Sequence, residues 1–152
     1  MNIGSGSAYP ANALSNFAPH PFIFDGVECN SMEGLLQSFK FENPAIQVEV
    51  CKLVGYAAKK RGKEKNWQRT QTLWWKGIPY KRDSEFYQKV LDNAYYALSK
   101  NKKFCQALLA SGDAVLSHSI GRTNKSETVL TVQEFCSRLT KIRSALQKAM
   151  GV

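Results

Sequence analysis

An Asp-Gly pair, Asp25-Gly26, stands between two short apolar stretches, Phe22–Phe24 and Val27–Cys29. A two-residue hairpin loop needs positive φ at its centre, which Asp-Gly adopts at little cost, so the segment is expected to double back on itself. A helix signal follows at once. Asn30 or Ser31 can cap, Glu33 stands at a capping-box position, and SMEGLLQSFKF runs at helical period as far as Asn43-Pro44. A short hairpin followed by a helix is the first part of a mostly helical chain with few, short strands.

The rest of the chain adds mostly helix. A second helical stretch is expected from Pro44 to Leu53, with proline in its first turn. Asn66 can cap a helix holding Trp67, Thr70, Leu73 and Trp74, ended by Gly77 and Pro79. Asp83 or Ser84 opens an amphipathic helix through Phe86, Val90, Leu91, Ala94, Tyr95 and Leu98, and Phe104, Leu108 and Leu109 belong to another. Ala114–Ile120 alternates like a short strand, and residues 121–126 read as a loop. Thr131 with Glu134 forms a second capping box, opening a helix through Phe135, Leu139, Ile142 and Leu146. Residues 1–20 read as irregular, and Gly4–Ser7 as a frayed end rather than a phosphate nest, because no strand-then-helix setting surrounds it. The expectation is a single α+β domain over residues 1–152, predominantly α-helical, with a small β-hairpin and one or two short strands.

At 152 residues the chain can bury about 70% of its unfolded surface. With 43% apolar and 22% charged residues it is neither disordered nor coiled coil, and no apolar run nears the ~20 residues of a membrane span. MNIGSGSAYP lacks a signal peptide's basic start and apolar stretch, so a cytoplasmic protein with reduced thiols at Cys29, Cys51, Cys105 and Cys136 is expected. His20 and His118 lack ligand spacing and read as structural, and no metal or organic cofactor is called for. No G-x-S-x-G, H-E-x-x-H or Cys–His pattern supports a protease, lipase or metal hydrolase.

Charge is unevenly placed. Residues 1–51 carry a net −4, residues 52–82 a net +9, and residues 83–152 a net +4. A basic block of that size suits a polyanion, whether nucleic acid, nucleotide or phosphate; a solvated basic face is the alternative. Within it Lys59, Lys60, Arg61, Lys63, Lys65, Trp67, Arg69, Trp74 and Trp75 interleave cations with aromatics, as phosphate-binding and base-stacking surfaces do. Trp67, at a helix start, is the better stacking candidate, and Trp74 the better core residue.

Glu33, Gln37 and Lys40 stand at i, i+4 and i+7, within roughly 60° of one another on a helix, while Met32, Leu35 and Phe39 take the core face. Gly34 and Ser38 beside the stripe leave room for a ligand. A carboxylate can stabilise an oxocarbenium-like sugar or activate water, and a desolvated lysine can attack a sugar carbon. The alternatives are that Glu33 only closes a capping box and that Gln37 and Lys40 only face water.

The run Leu14-Ser15-Asn16-Phe17-Ala18-Pro19, then Pro21-Phe22, Asp25-Gly26, Ser31-Met32-Glu33 and Gln37-Ser38-Phe39-Lys40-Phe41 resembles the YbiA/NADAR family of N-glycosidases. Gly55–Gly62, Asn66-Trp67 and Leu108–Asp113 continue the resemblance more loosely, over about residues 12–145 in all. The family's riboflavin-pathway branch closes with a Trp-Gly and glycine-rich loop. Ser117–Thr128 keeps a Gly and an Asn but lacks the rest, and so leans toward the branch acting on ADP-ribose attached to guanine.

The resemblance implies a YbiA-like fold and hydrolysis of the N-glycosidic bond between a ribose and a base. The leading substrate is ADP-ribosylated guanine in DNA or RNA. Phosphorylated ribosylamino-pyrimidines of riboflavin synthesis come second, and a non-catalytic ADP-ribose or nucleic-acid binding module is the reading of another class. Carried over by position, Glu33 would be the catalytic carboxylate and Lys40 a covalent amine or phosphate contact. Asn16 and Gln37 would hold ribose hydroxyls, and Lys60, Arg61 and Trp67 would take phosphates and base. Phe17, His118 and Asn124 complete the implied substrate-binding set. The expected partners are an ADP-ribose-containing nucleotide or ADP-ribosylated nucleic acid, with no membrane; the oligomeric state is left open.

Overall fold

The hairpin forms where Asp-Gly places it. In the computed structural model, which describes residues 1–151, β1 (Phe22–Phe24) pairs antiparallel with β2 (Val27–Cys29) in the register Phe22↔Cys29. Asp25 and Gly26 take φ values of 47° and 79°, the pair of left-handed residues such a loop requires.

Helix α1 (Met32–Ser38) begins one residue later than its first possible cap. Ser31, not Asn30, is the N-cap, accepting from the Gly34 amide, while the Asn30 side chain donates to the Lys52 carbonyl. Glu33 therefore closes no capping box, and its carboxylate is available for other contacts. The helix also stops short of Lys40. Phe39, Lys40 and Phe41 donate back only three residues, and the Ser38 and Phe39 carbonyls are taken by the Gln47 side chain and the Trp74 amide. Gly34 and Ser38, expected to leave room for a ligand, are buried. A Cβ on Gly34 would sit 2.7 Å from the Leu53 carbonyl and 2.9 Å from that of Val50, so this side of α1 is a packing face.

Helix α2 (Pro44–Cys51) is capped by Asn43, and α3 (Gly55–Lys63) follows within the basic block. The helix expected from Asn66 through Trp74 is instead a second hairpin, β3 (Thr72–Trp75) with β4 (Ile78–Lys81). Leu73 and Trp75 alternate inward, and Lys76 and Gly77 adopt φ of 50° and 80° at the loop. The two hairpin tips are latched together: Trp75 Nε1 donates to Asp25 Oδ2 at 2.9 Å and Lys76 Nζ to the Asp25 carbonyl at 2.6 Å.

Helices α4 (Glu85–Leu98), α5 (Lys102–Ala110) and α6 (Val132–Ala149) are capped by Ser84, Asn101 and Thr131, the last through the full Thr131–Glu134 box. Tyr87 faces the core rather than its neighbour Phe86, which is exposed. Leu35, Leu91, Ala94, Tyr95, Phe104, Leu108, Phe135 and Leu139 form the centre of the core.

The N-terminus is pinned rather than frayed. Ile3 is buried, its amide donates to the Ser117 carbonyl at 2.7 Å, and Ser117 returns a bond to the Met1 carbonyl. Ala114–Ile120 is accordingly no strand but a single bridge, Asn2↔Ser117. The architecture is helix-rich α+β, six α-helices with two separate two-stranded antiparallel sheets among the described residues, and a 3₁₀ turn at Ala11–Leu14 within the segment expected to be irregular. No helix of the described residues is long and apolar enough to cross a membrane.

Candidate active site

The first turn of α1 directs Glu33 into a cavity of about 230 Å³ that Asn16, Phe17, Gln37, Lys59, His118 and Arg122 also line. Two bonds fix this end of the helix. The Glu33 amide donates to the Asn16 carbonyl at 3.0 Å, and Gln37 Nε2 donates to Glu33 Oε1 at 2.8 Å. Burial holds the Glu33 carboxyl above its ordinary value, partly offset by the Gln37 hydrogen bond and the charges of Lys40, Lys59 and His118. Lys40 responds in the opposite sense: burial lowers its ammonium, and Glu33 pulls it back up.

Each wall is held from behind. Tyr95, fully buried on α4, donates to Asn16 Oδ1 at 2.8 Å, which leaves the Asn16 NH₂ as the group it can offer a ligand. His118 Nδ1 bonds the Ile3 carbonyl at 2.7 Å, and a carbonyl only accepts, so in the neutral ring Nε2 is the acceptor. The His118 ring also packs edge-on to Phe135. Residues 128–131 form the far wall. Arg82 Nε donates to the Thr128 carbonyl at 2.8 Å and Tyr87 Oη to that of Val129 at 2.6 Å.

Gly62 fixes Gln37. Helix α3 crosses α1 so closely that a Cβ there would fall 1.7 Å from Gln37 Oε1. Gly62→Ala should therefore displace the amide, break its bond to Glu33 and lower kcat/KM at least about tenfold, the order of one lost hydrogen bond to a charged group. Circular dichroism should show the fold retained. Adding Gly62→Ala to Gln37→Ala should cost little further in activity if the amide clash is the cause, because only the Gln37 Cβ, 3.1 Å from the new methyl, then has to give.

Of the residues singled out from the sequence, Asn16, Phe17, Glu33, Gln37 and His118 meet in this cavity. Lys40 lies just past the end of α1 and influences Glu33 by charge without lining the cavity. Trp67 is only 4% exposed and belongs to the core, so it cannot stack a base; the expectation for the two tryptophans is reversed, because Trp74 is the less buried. Lys60 is exposed outside the cavity, Arg61 stacks on Phe41 and pairs with Glu64, and Asn124 folds back to cap Ser126. Lys59, Arg122, Tyr95 and Gly62 were missed. Lys59 stands in the basic run, Gly62 closes the Gly55–Gly62 segment, Tyr95 reads as a core residue of its helix and Arg122 lies in the Ser117–Thr128 loop, but nothing local assigns any of them to the site.

Among the described residues no group of three His, Cys, Asp or Glu side chains could hold a metal ion. A larger groove of about 700 Å³ runs along α6, but the carboxylate on it, Asp113, is exposed and has no counterpart to the Glu33–Gln37 pair.

Fold and site together define a helix-rich α+β domain with a half-sequestered glutamate in a polar cavity. The NMR structure of the E. coli protein YbiA shares this fold, with a TM-score of 0.63 and 19% identity over 99% of this chain and 86% of that one. The chain belongs to the bacteriophage protein GP30.3 family, whose model matches residues 8–144. A relative from Enterobacteria phage T4, described as an uncharacterized 17.1 kDa protein in the Gp30-rIII intergenic region, is 39% identical over 151 residues, 96% of this chain and 98% of its own.

Proposed function

We propose that this protein is an N-glycosidase that removes ADP-ribose from ADP-ribosylated guanine in nucleic acid. The observation that carries the reading is Glu33. Its carboxyl is drawn out of water and steadied by Gln37, and it faces a cavity whose polar lining includes the Asn16 amide, the His118 ring, the hydroxyl residues Ser5, Ser15, Thr128 and Thr131, and two cations, Lys59 and Arg122. At about 230 Å³ the cavity falls below the ~300–1,000 Å³ of drug-sized ligand sites. It suits one ribose, with the diphosphate lying across the rim beside Lys59 and Arg122. The resemblance of residues 15–41 to the YbiA/NADAR signature and the fold shared with YbiA support the same chemistry.

In this reading Glu33, ionised, takes a proton from water as the water oxygen bonds to the ribose carbon. The carbon–nitrogen bond breaks, its electron pair stays with the guanine nitrogen, and that nitrogen takes up a proton. Water is consumed and ADP-ribose and unmodified guanine are released. Attack by Lys40 would instead give a covalent adduct, but Lys40 lies outside the cavity lining and Glu33 within it. Borohydride added during turnover should therefore trap no protein–ADP-ribose adduct; a trapped adduct, lost in Lys40→Met, would assign the attack to Lys40.

Chromatography of the products from an oligonucleotide carrying ADP-ribose on guanine, beside a phosphorylated ribosylamino-pyrimidine, tests the substrate. Release of ADP-ribose from the former supports the proposal. Cleavage of the pyrimidine alone would move the assignment to it, and tight binding with no product would make the domain a reader.

A further inference from the structure

Helix α3 divides its residues cleanly. Ala58 and Gly62 are buried, with Gly62 against Gln37 of α1. Tyr56, Lys59, Lys60 and Lys63, at i, i+3, i+4 and i+7, share the opposite face, and all four are exposed, Tyr56 by 64%. Of the nearby acids, Glu64 is engaged by Arg61 at 3.3 Å and Glu33 feels the charge of Lys59 across the cavity; the ion pairs among the described residues include none of the three lysines. This stripe adjoins the cavity at two points. Lys59 lines the cavity, and a Cβ on Gly55, next to Tyr56, would fall 3.7 Å from the ring of Phe17, another lining residue.

An exposed aromatic followed by three unpaired cations over about 10 Å of helix axis has one chemical complement that uses both features. Phosphates alone would need only the lysines. A duplex, its bases already stacked, offers Tyr56 nothing. A single strand presents unpaired bases for the ring and a phosphate row for the ammonium groups. We infer that the outer face of α3 is a single-stranded nucleic-acid track, on which Tyr56 stacks a base flanking the one at the cavity and Lys60 and Lys63 follow the backbone away from it. The inference rests on the proposed polynucleotide substrate, but not on the chemistry at Glu33.

Fluorescence anisotropy with labelled, unmodified oligothymidylate tests the track without turnover. Tyr56→Ala should weaken binding roughly five- to hundredfold, the range of one lost base stack, while Tyr56→Phe should retain most of it. Lys60→Gln with Lys63→Gln should lower the slope of log K against log salt by about 1.4, two phosphate contacts on a single strand. A duplex of equal length should bind more weakly. Wild-type affinity in Tyr56→Ala, an unchanged salt slope, or a duplex preferred over the single strand would each overturn the track. Glu33→Gln should bind the oligonucleotide as the wild type does. Tyr56-dependent binding by a wild-type protein that releases no ADP-ribose would thus sink the glycosidase reading and leave the track standing.

Discussion

Glu33→Gln should reduce release of ADP-ribose by about 10²- to 10⁴-fold, the span usually lost with a positioned general base, and should do so without unfolding the protein. The amide is isosteric and can still accept from Gln37. The sign of the stability change follows from titration. Burial raises the Glu33 carboxyl in the folded state. Such a group contributes stability that is fully present below its unfolded value and lost as pH rises through the folded one. At neutral pH the ionised carboxylate is therefore a cost, and the Gln variant should melt at the wild-type temperature or above it. For the same reason wild-type activity, which needs the ionised form, should fall on acidification at a pH above the ordinary glutamate value of 4.5. Thermal unfolding at neutral pH beside a turnover assay decides the matter. A variant that loses fold and activity together would make Glu33 a structural residue.

Glu134→Ala should be the most destabilising single change among the polar residues, by about 3–5 kcal/mol, or about 10 °C in Tm for a chain of this size. Arg82 is fully buried, and Glu134 meets its two terminal nitrogens at 3.0 and 2.6 Å. Glu134 also accepts from Gln88 Nε2 at 2.6 Å and from the Thr131 amide at 2.8 Å, closing the cap of α6. Removing the carboxylate leaves a guanidinium uncompensated in the interior. Burial pushes the Glu134 carboxyl up, but the hydrogen bonds from Arg82, Gln88 and Thr131 carry it below its ordinary value. Its stabilisation is accordingly present above the unfolded value and lost as pH falls through the folded one. Urea unfolding of Glu134→Ala beside the double replacement Arg82→Met/Glu134→Leu separates charge from packing: the double variant should lose less. Equal losses would mean that the cap and packing matter, not the stranded charge. The consequence reaches the site, because Arg82 also holds the Thr128 carbonyl in the cavity wall.

The two hairpins explain why one was legible and the other was not. Both turn on a pair of left-handed residues, but Asp25-Gly26 advertises this and Lys76-Gly77 does not. Leu73 and Trp74, with Trp67 and Thr70, also fit a helical period as well as a strand, and only tertiary burial of Leu73 and Trp75 decides between them. Helix α3 escaped because its inward face consists of Ala58 and Gly62, too small to give an apolar rhythm. Helices α4 and α6 were plain from their caps and periodic cores.

At the site, Glu33 and Gln37 were readable because one helical turn joins them. Lys40 was misplaced by assuming that the helix continued, when Gln47 and Trp74 take the carbonyls at its end. The remaining walls come from far along the chain. Tyr95 and Asn16 are 79 residues apart, and His118 and Ile3 are 115, separations that leave no trace in local pattern.

In the proposed reaction water, directed by Glu33, cleaves the bond between ribose and guanine. Mass spectrometry of an ADP-ribosylated guanine oligonucleotide incubated with the wild type or with Glu33→Gln resolves this step. The wild type should leave an oligonucleotide lighter by one ADP-ribose with its guanine intact, and Glu33→Gln should leave it ADP-ribosylated over the same time. An oligonucleotide left unchanged by the wild type, or loss of the guanine along with the sugar, would contradict it.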